Sequence, residues 1–222
     1  MYAKLIAGLL SIVVLAGADD AKGRVKLIRD LTKNGAESIP KLSAYLNDPE
    51  TSVRLEAVKA IVELDTQRSL DPLVKATADN DPEIQIRAAD GLINFYKPGY
   101  VQSGMTAPIK RMGKGIKGKF VETNDQVIDP YVQVRPDVIL ALGKLARGGS
   151  SMESRANAAR GLGILRGKAA VPDLIDAIKG KDDQVIYEAL IALEKIHDES
   201  AGPAIALRLR DPAERIQVTA IE

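Results

Sequence analysis

The sequence contains no cysteine, no tryptophan and a single histidine among 222 residues. Without cysteine there can be no disulfide, no thiolate nucleophile and no cysteine-rich zinc site. Aromatic residues make up only 4%, and 31 basic against 30 acidic residues leave a net charge of +1. A balanced charge argues against a dedicated nucleic-acid binder, because such proteins carry an excess of Lys and Arg. The core must therefore be aliphatic, and any electrostatic partner must be recognised by a local patch.

Long apolar runs are also missing, except near the N-terminus. There Lys4 precedes a mainly apolar stretch from Leu5 to Leu15, and Ala16-Gly17-Ala18 follows. A positive charge, a short apolar stretch and an Ala-x-Ala ending are typical of a secretory signal peptide. The stretch is shorter than the roughly 20 residues that a membrane span needs. We therefore expect residues 1–18 to be removed, and residues 19–222 to be exported to the periplasm or the cell exterior without a transmembrane span.

One five-residue pattern recurs along the chain. It occurs as Val53-Arg54-x-x-Ala57, Ile84-Gln85-x-x-Ala88, Ser154-Arg155-x-x-Ala158, Val185-Ile186-x-x-Ala189 and Ile216-Gln217-x-x-Ala220, with a spacing of 31 residues apart from the longer interval between the second and third. Prolines recur between these copies, and a proline is tolerated in the first turn of a helix. Each unit therefore holds two helices that can bury their apolar faces only against neighbouring units. The sequence predicts an all-α fold, a right-handed α-solenoid of helix pairs with a period of 31.

Apolar spacing and turn residues give the helix positions. We predict helices over residues 22–33, 36–47, 50–64, 68–78, 82–96, 136–146, 151–166, 169–179, 182–197, 200–209 and 212–222. Three Asp-Pro pairs are interpreted as helix starts, with the aspartate as N-cap: Asp48-Pro49, Asp81-Pro82 and Asp211-Pro212. The sequence leaves open whether helix 136–146 is the first or the second helix of its pair.

Two motifs are similar to those of a known repeat family. They are Asp48-Pro-x-x-x-Val53-Arg54-x-x-Ala57 and Arg155-Ala-x-Ala158-Ala-x-Gly-Leu162-Gly163 followed by Ala169-Ala170-Val171-Pro172-x-Leu174. They resemble the short HEAT-like repeats of the phycobilisome-lyase type, over most of residues 36–222. The resemblance implies that first helices line an outer convex face, that second helices line an inner concave face, and that the protein is a binding scaffold. Gln85, Ile186 and Gln217 replace the family's arginine, so its contacts are not expected in those three units.

The interval between the second and third copies of the pattern holds an insertion, residues 97–130. It has no helical periodicity and contains five glycines and three prolines. Gly99-Tyr100-Val-Gln and Lys119-Phe-Val-Glu-Thr are interpreted as short strands, which predicts a glycine-rich basic β-hairpin projecting from the solenoid. Its centre has no acidic residue, and we predict a partner-binding patch formed by Lys110, Arg111, Lys114, Lys117, Lys119 and Phe120. A glycine-rich turn kept solvated by its lysines is the alternative.

Motifs for chemistry are weak. Gly113-Lys-Gly115-Ile-Lys-Gly118-Lys119 has the glycine spacing of a phosphate loop, but Phe120 stands where a P-loop needs Ser or Thr. His197 has no companions that would make it a general base or a metal ligand, and we interpret it as a helix C-cap. We therefore predict no catalytic, metal-binding or cofactor-binding residues, no cofactor and no enzymatic activity.

The function that the sequence favours is an exported scaffold or adaptor that binds another protein through the solenoid surface. If the basic patch does not bind, the predicted contacts are on the concave helices, at Lys41, Tyr45, Lys75 and Arg208. Two alternatives stay open: an enzyme or enzyme subunit of the chromophore-lyase type, and an envelope module that binds an anionic polymer through the insertion. The segment from Arg215 to Glu222 repeats the start of a first helix without its partner, so we expect the last repeat to continue in a longer protein.

The signal peptide gives the first testable prediction. Mass spectrometry of the exported protein should show Asp19 as the first residue, because the Ala16-x-Ala18 ending fits signal peptidase cleavage. A membrane fraction containing the protein with Met1 intact would contradict the prediction.

Overall fold

The computed structural model describes residues 20–100 and 126–222. The predicted signal peptide, residues 1–18, and most of the predicted hairpin lie outside the described residues. The α-helices are α1 Ala21–Thr32, α2 Ile39–Ala44, α3 Thr51–Leu64, α4 Leu70–Ala76, α5 Pro82–Tyr96, α6 Pro136–Gly148, α7 Met152–Ile164, α8 Val171–Ile178, α9 Asp183–Ile196, α10 Gly202–Ala206 and α11 Glu214–Ile221. The described residues contain no strand. None of the described helices has both the length and the apolar character of a membrane span.

The helices form two layers, as the sequence predicts for a solenoid of helix pairs. Helices α1, α3, α5, α7, α9 and α11 contact one another in that order and form the first-helix layer. Helices α4, α6, α8 and α10 contact one another in the same way, and with α2 they form the second-helix layer. Each layer covers the apolar side of the other, which places the core between them. The α-solenoid predicted from the 31-residue pattern is confirmed.

Helix α6 belongs to the second-helix layer, which settles the position that the sequence leaves open. It contacts α4 on one side and α8 on the other, whereas α5 contacts α7 directly. Helices α5 and α6 are therefore the two helices of one pair. The inserted residues connect the first and second helices within that pair and do not separate two repeats.

The ends of the insertion are part of the solenoid. Tyr100 and Ile128 are buried in the core, and the Ile128 amide donates to the Ile164 carbonyl over 2.9 Å. Tyr100 is helical, so the strand predicted to include Gly99 and Tyr100 is wrong at these residues. The insertion predicted to project from the solenoid therefore contributes to the core at both of its described ends, through the side chains of Tyr100 and Ile128.

Of the three Asp-Pro pairs, only Asp81-Pro82 begins a helix as predicted. The Asp81 carboxylate accepts from the amides of Glu83 and Ile84, and Pro82 is the first residue of α5. Helix α3 begins at Thr51, and α11 begins at Glu214. Asp48 and Asp211 still accept from a backbone amide two residues on, that of Glu50 over 2.9 Å and that of Ala213 over 3.0 Å, and each also pairs with an arginine.

Arginine side chains join the start of a first helix to the loop that follows the next second helix. Arg54 pairs with Asp79 over 2.8 Å, and Arg155 pairs with Asp182. Gln85, at the equivalent position of α5, makes a similar link between loops through hydrogen bonds instead of an ion pair. Its Nε2 donates to the Asp79 carbonyl over 2.6 Å, and its Oε1 accepts from the amide and hydroxyl of Ser150. Ile186 is simply buried.

Small residues set the distance between first helices. The repeated alanines Ala57, Ala88, Ala158 and Ala189 are fully buried. Helices α7 and α9 approach each other closely, and a Cβ added to Gly163 would lie 2.8 Å from the Cα of Ala192. That contact is to backbone, so a larger residue at position 163 must push the two helices apart.

Gly163→Ala should therefore lower the free energy of unfolding by about 1–3 kcal/mol, the usual cost of overpacking a core. Gly148→Ala is the matched control, because a Cβ there meets nothing within 4 Å. In the control, alanine should be neutral or stabilising by up to about 1 kcal/mol, since it is the better helix former. Urea unfolding of the two variants measures the difference, and equal midpoints would contradict the close approach.

Candidate functional site

Two adjacent grooves run along the second-helix layer. The first groove has a volume of about 570 Å³ and lies between α2 and α4, where Pro40, Ser43, Asp71 and Lys75 line it. The second has a volume of about 460 Å³ and lies between α4 and α6. Ala78 lines both, so the two grooves meet at the end of α4. We call this surface of α2, α4 and α6 the second-helix face.

The second groove has an exposed apolar residue at its side. Leu140 on α6 lines the groove and is 46% exposed, although it is a large aliphatic side chain. Lys144 follows one turn later on the same side of the helix and is exposed. An exposed apolar side chain with a cation beside it is a suitable contact for another protein. A partner can bury the apolar side chain and place a polar group on the cation at its edge.

Acidic side chains of the second-helix face are held in ion pairs. Arg135 contacts both Asp71 and Asp137 over 2.6 Å, and Arg54 pairs with Asp79 over 2.8 Å. Lys75 and Lys144 are exposed and make no ion pair with any described residue. Of the basic side chains that line the two grooves, Lys75 and Lys144 are therefore the two without an ion-pair partner among the described residues.

The structure places the four predicted concave residues in different surroundings. Lys41 on α2 and Lys75 on α4 are exposed, whereas Tyr45 is half-buried and packs against the core. Arg208 donates from Nε to the Ile178 carbonyl over 2.7 Å and from its two terminal nitrogens to Gly180 and Asp211. Its guanidinium therefore joins the C-terminal end of α8 to the loop that follows α10.

The predicted patch of the insertion lies outside the described residues. This applies to Lys110, Arg111, Lys114, Lys117, Lys119 and Phe120. Their assignment as partner-binding residues stays a prediction.

A buried polar cluster, which the sequence analysis missed, lies between the first helices α5, α7 and α9. Asn157 donates to Asp90 Oδ1 over 2.8 Å, and the Tyr100 hydroxyl donates to Asn157 Oδ1 over 3.1 Å. One turn further along α7, Arg160 forms a two-point contact with Glu188, with 3.0 Å between its Nε and Oε2. Asp90 and Glu188 are only 1% and 4% exposed.

One feature of the sequence points to this cluster. Asp90 and Arg160 are each two residues after the repeated alanine of their helix, Ala88 and Ala158. Opposite charges at one repeat position in successive first helices, next to buried alanines, indicate a buried electrostatic contact.

Burial changes the proton affinity of this cluster. It raises the pKa of Asp90 to about 7, although the hydrogen bond from Asn157 and the charges of Arg160 and Arg87 act in the opposite direction. Glu83 adds a smaller upward effect on the same pKa. Oδ2 of Asp90 has no hydrogen-bond partner among the described residues. Burial also raises the pKa of the Tyr100 hydroxyl, which therefore stays a donor at neutral pH.

The described residues give no set for metal chemistry. Nowhere in residues 20–100 and 126–222 do three or more His, Asp or Glu side chains come close enough to hold an ion. His197 is the C-cap of α9 in a left-handed conformation with φ of 52°, and its amide donates to the Leu193 carbonyl. Its interpretation as a helix C-cap is confirmed.

Comparisons with known proteins agree with this architecture. Residues 7–93 and 139–222 match the sequence model of a family described as HEAT repeats, and the first match begins inside the predicted signal peptide. Among solved structures, the chain is similar to the CpcE and CpcF complex of phycocyanin lyase from Nostoc sp. PCC7120, with a TM-score of 0.51 and 14% identity over 83% of this chain and 96% of that one.

A second similar structure is a computationally designed armadillo repeat protein for modular peptide recognition. The TM-score is again 0.51, with 20% identity over 92% of this chain and 93% of that one. A comparison with curated protein sequences found no match. At these identities the structural likeness establishes the solenoid fold.

Asp90 makes the stability of the protein depend on pH. Its pKa is higher in the folded state than the value of about 3.9 in an unfolded chain. The folded state therefore binds the proton more tightly, so the stabilisation is complete below about pH 4 and is lost as pH rises through about 7. Asp90→Asn should remove this loss, and the variant should gain on the order of 2–4 kcal/mol relative to the parent between pH 4 and pH 8. Urea unfolding at both pH values measures the gain.

Asp129→Asn is the control, because Asp129 is exposed. Its stability relative to the parent should change little over the same interval. A gain of the same size in both variants, or none in Asp90→Asn, would contradict the raised pKa.

Proposed function

The chain belongs to the HEAT-repeat family, and we propose that it is an exported, non-enzymatic scaffold that docks another protein on its second-helix face. The observation that carries this proposal is the pair of adjacent grooves between α2, α4 and α6, with the exposed Leu140 at the side of the second. Stacked helix pairs create extended surfaces of this kind, and repeat proteins use them for binding.

The polar groups of the protein also favour binding over catalysis. The buried cluster around Asp90 connects α5, α7 and α9 through side chains that hydrogen-bond one another. Burial lowers the pKa of Arg160, but the hydrogen bond and the charge of Glu188 together with Tyr100 raise the pKa by more, so Arg160 keeps its charge. These residues hold the first helices together, and the grooves lie on the other layer.

Export is part of the proposal, and it is supported by the sequence of residues 1–18. The positive charge, the short apolar stretch and the Ala16-x-Ala18 ending are the supporting features. A partner would then be found in the cell envelope or outside the cell.

Photo-crosslinking tests the docking surface. A photoreactive phenylalanine analogue at position 140 should form a covalent adduct with another protein when the full-length mature protein is exposed to an envelope extract and illuminated. Position 152 is the matched control, because Met152 is 38% exposed and belongs to the first-helix layer. Absence of an adduct at position 140, or equal adducts at both positions, would contradict docking on the second-helix face.

A further inference from the structure

We propose that the second-helix face binds a partner segment that carries acidic side chains, and that Lys75 and Lys144 are the residues that recognise them. This inference rests on the proposed docking function, and it adds the chemistry of the partner. It depends on the positions of the two lysines, on the ion pairs of the other groove charges and on the exposed Leu140 beside Lys144.

The two lysines occupy equivalent places in adjacent helices. Lys75 is two residues after the buried Leu73 of α4, and Lys144 is two residues after the buried Leu142 of α6. Each lysine lines the groove on the same side of its own helix. Packed helices lie about 8–10 Å apart, and an extended chain rises about 3.3 Å per residue. Two acidic residues separated by two to four positions in an extended segment can therefore reach both ammonium groups.

The other charged side chains that line the two grooves are already in ion pairs. Nine charged side chains line the two grooves or pair with a lining residue: Arg54, Arg68, Lys75, Arg135 and Lys144 on the basic side, and Glu37, Asp71, Asp79 and Asp137 on the acidic side. All four acidic side chains contact an arginine. Of these nine, only Lys75 and Lys144 have no ion-pair partner among the described residues, so an acidic side chain can bind them without breaking an existing ion pair.

The apolar part of the face sets a second requirement. Leu140 lies four residues before Lys144 and is 46% exposed, and Pro40 and Pro72 line the first groove. A segment that alternates acidic and apolar residues would place carboxylates on the lysines and apolar side chains in the grooves. A basic segment would instead bring cations against Lys75 and Lys144, with all nearby acids already paired, and this arrangement is unfavourable.

Fluorescence anisotropy with a synthetic peptide tests the proposal. The probe is a fluorescein-labelled octapeptide of alternating Glu and Leu, and the comparison peptide has Lys in place of each Glu. The full-length mature protein should bind the first and not the second. Binding should weaken as salt is raised from 50 to 200 mM, because exposed charge contacts are screened.

A charge-reversal variant identifies the residues. Lys75→Glu combined with Lys144→Glu should weaken binding of the acidic peptide by about tenfold or more, because two attractive contacts become repulsive. Lys22→Glu combined with Lys26→Glu is the matched control, with the same change in charge at exposed positions of α1 in the first-helix layer. The control should stay within about twofold of the parent. Circular dichroism should show unchanged helicity and melting in both variants, since all four lysines are exposed.

Three results would overturn the proposal. They are no binding of the acidic peptide, equal losses in the variant and the control, and binding that is unaffected by the double reversal. Inorganic polyphosphate is a competitor in the same assay. If it binds with the same dependence on Lys75 and Lys144 while the acidic peptide does not, the face is a polyanion site, and a protein segment is the wrong occupant.

Crosslinking at position 140 separates this inference from the proposed function. If the adduct forms and the Lys75 and Lys144 reversals leave its yield unchanged, docking on the second-helix face stands and the acidic partner is wrong. If no adduct forms with or without the Lys75 and Lys144 reversals, docking on the second-helix face is itself wrong.

Discussion

Close contact between first helices is the constraint on which the rest of the structure depends. Ala57, Ala88, Ala158 and Ala189 are fully buried, and Gly163 lies against the backbone of α9. Larger side chains at these positions would separate the helices and change the angle between successive repeats. The repeated alanine therefore sets the distance between neighbouring first helices. Because each repeat needs this contact, alanine recurs at the same position of each unit while the residues around it vary.

This constraint leaves the second helices freer in length and composition. All of them except α6 are short, grooves separate α2, α4 and α6, and their outer side chains are not needed for the stacking of the first layer. Arg54 and Gln85 contact Asp79 in the loop after α4 and keep successive helix pairs in register. These contacts occupy little of the outer surface of the second helices. Packing and binding are thus divided between two layers, so that the binding surface can change without altering the core.

The sequence predicts the layers well and the polar interior poorly. Helix positions follow from apolar periodicity, which depends on neighbours a few residues away, and they agree with the structure to within a few residues. The pairing of α5 with α6 could not be predicted, because it depends on contacts between residues separated by the whole insertion. The Asp90 cluster was missed for the same reason, since its members come from three helices and from Tyr100. At the candidate site, Lys75 was predicted, whereas Leu140 and Lys144 needed the assignment of α6 to the second layer.

The insertion joins the two helices of one pair, and its ends are fixed in the core by Tyr100 and Ile128. Because α5 contacts α7 directly, the array is continuous across this point. Closing a longer connection costs only about 0.6 kcal/mol for each doubling of its length. Lengthening the chain between the two anchor residues therefore adds little closure entropy. This makes the connection an evolutionary entry point for new modules in an otherwise fixed repeat.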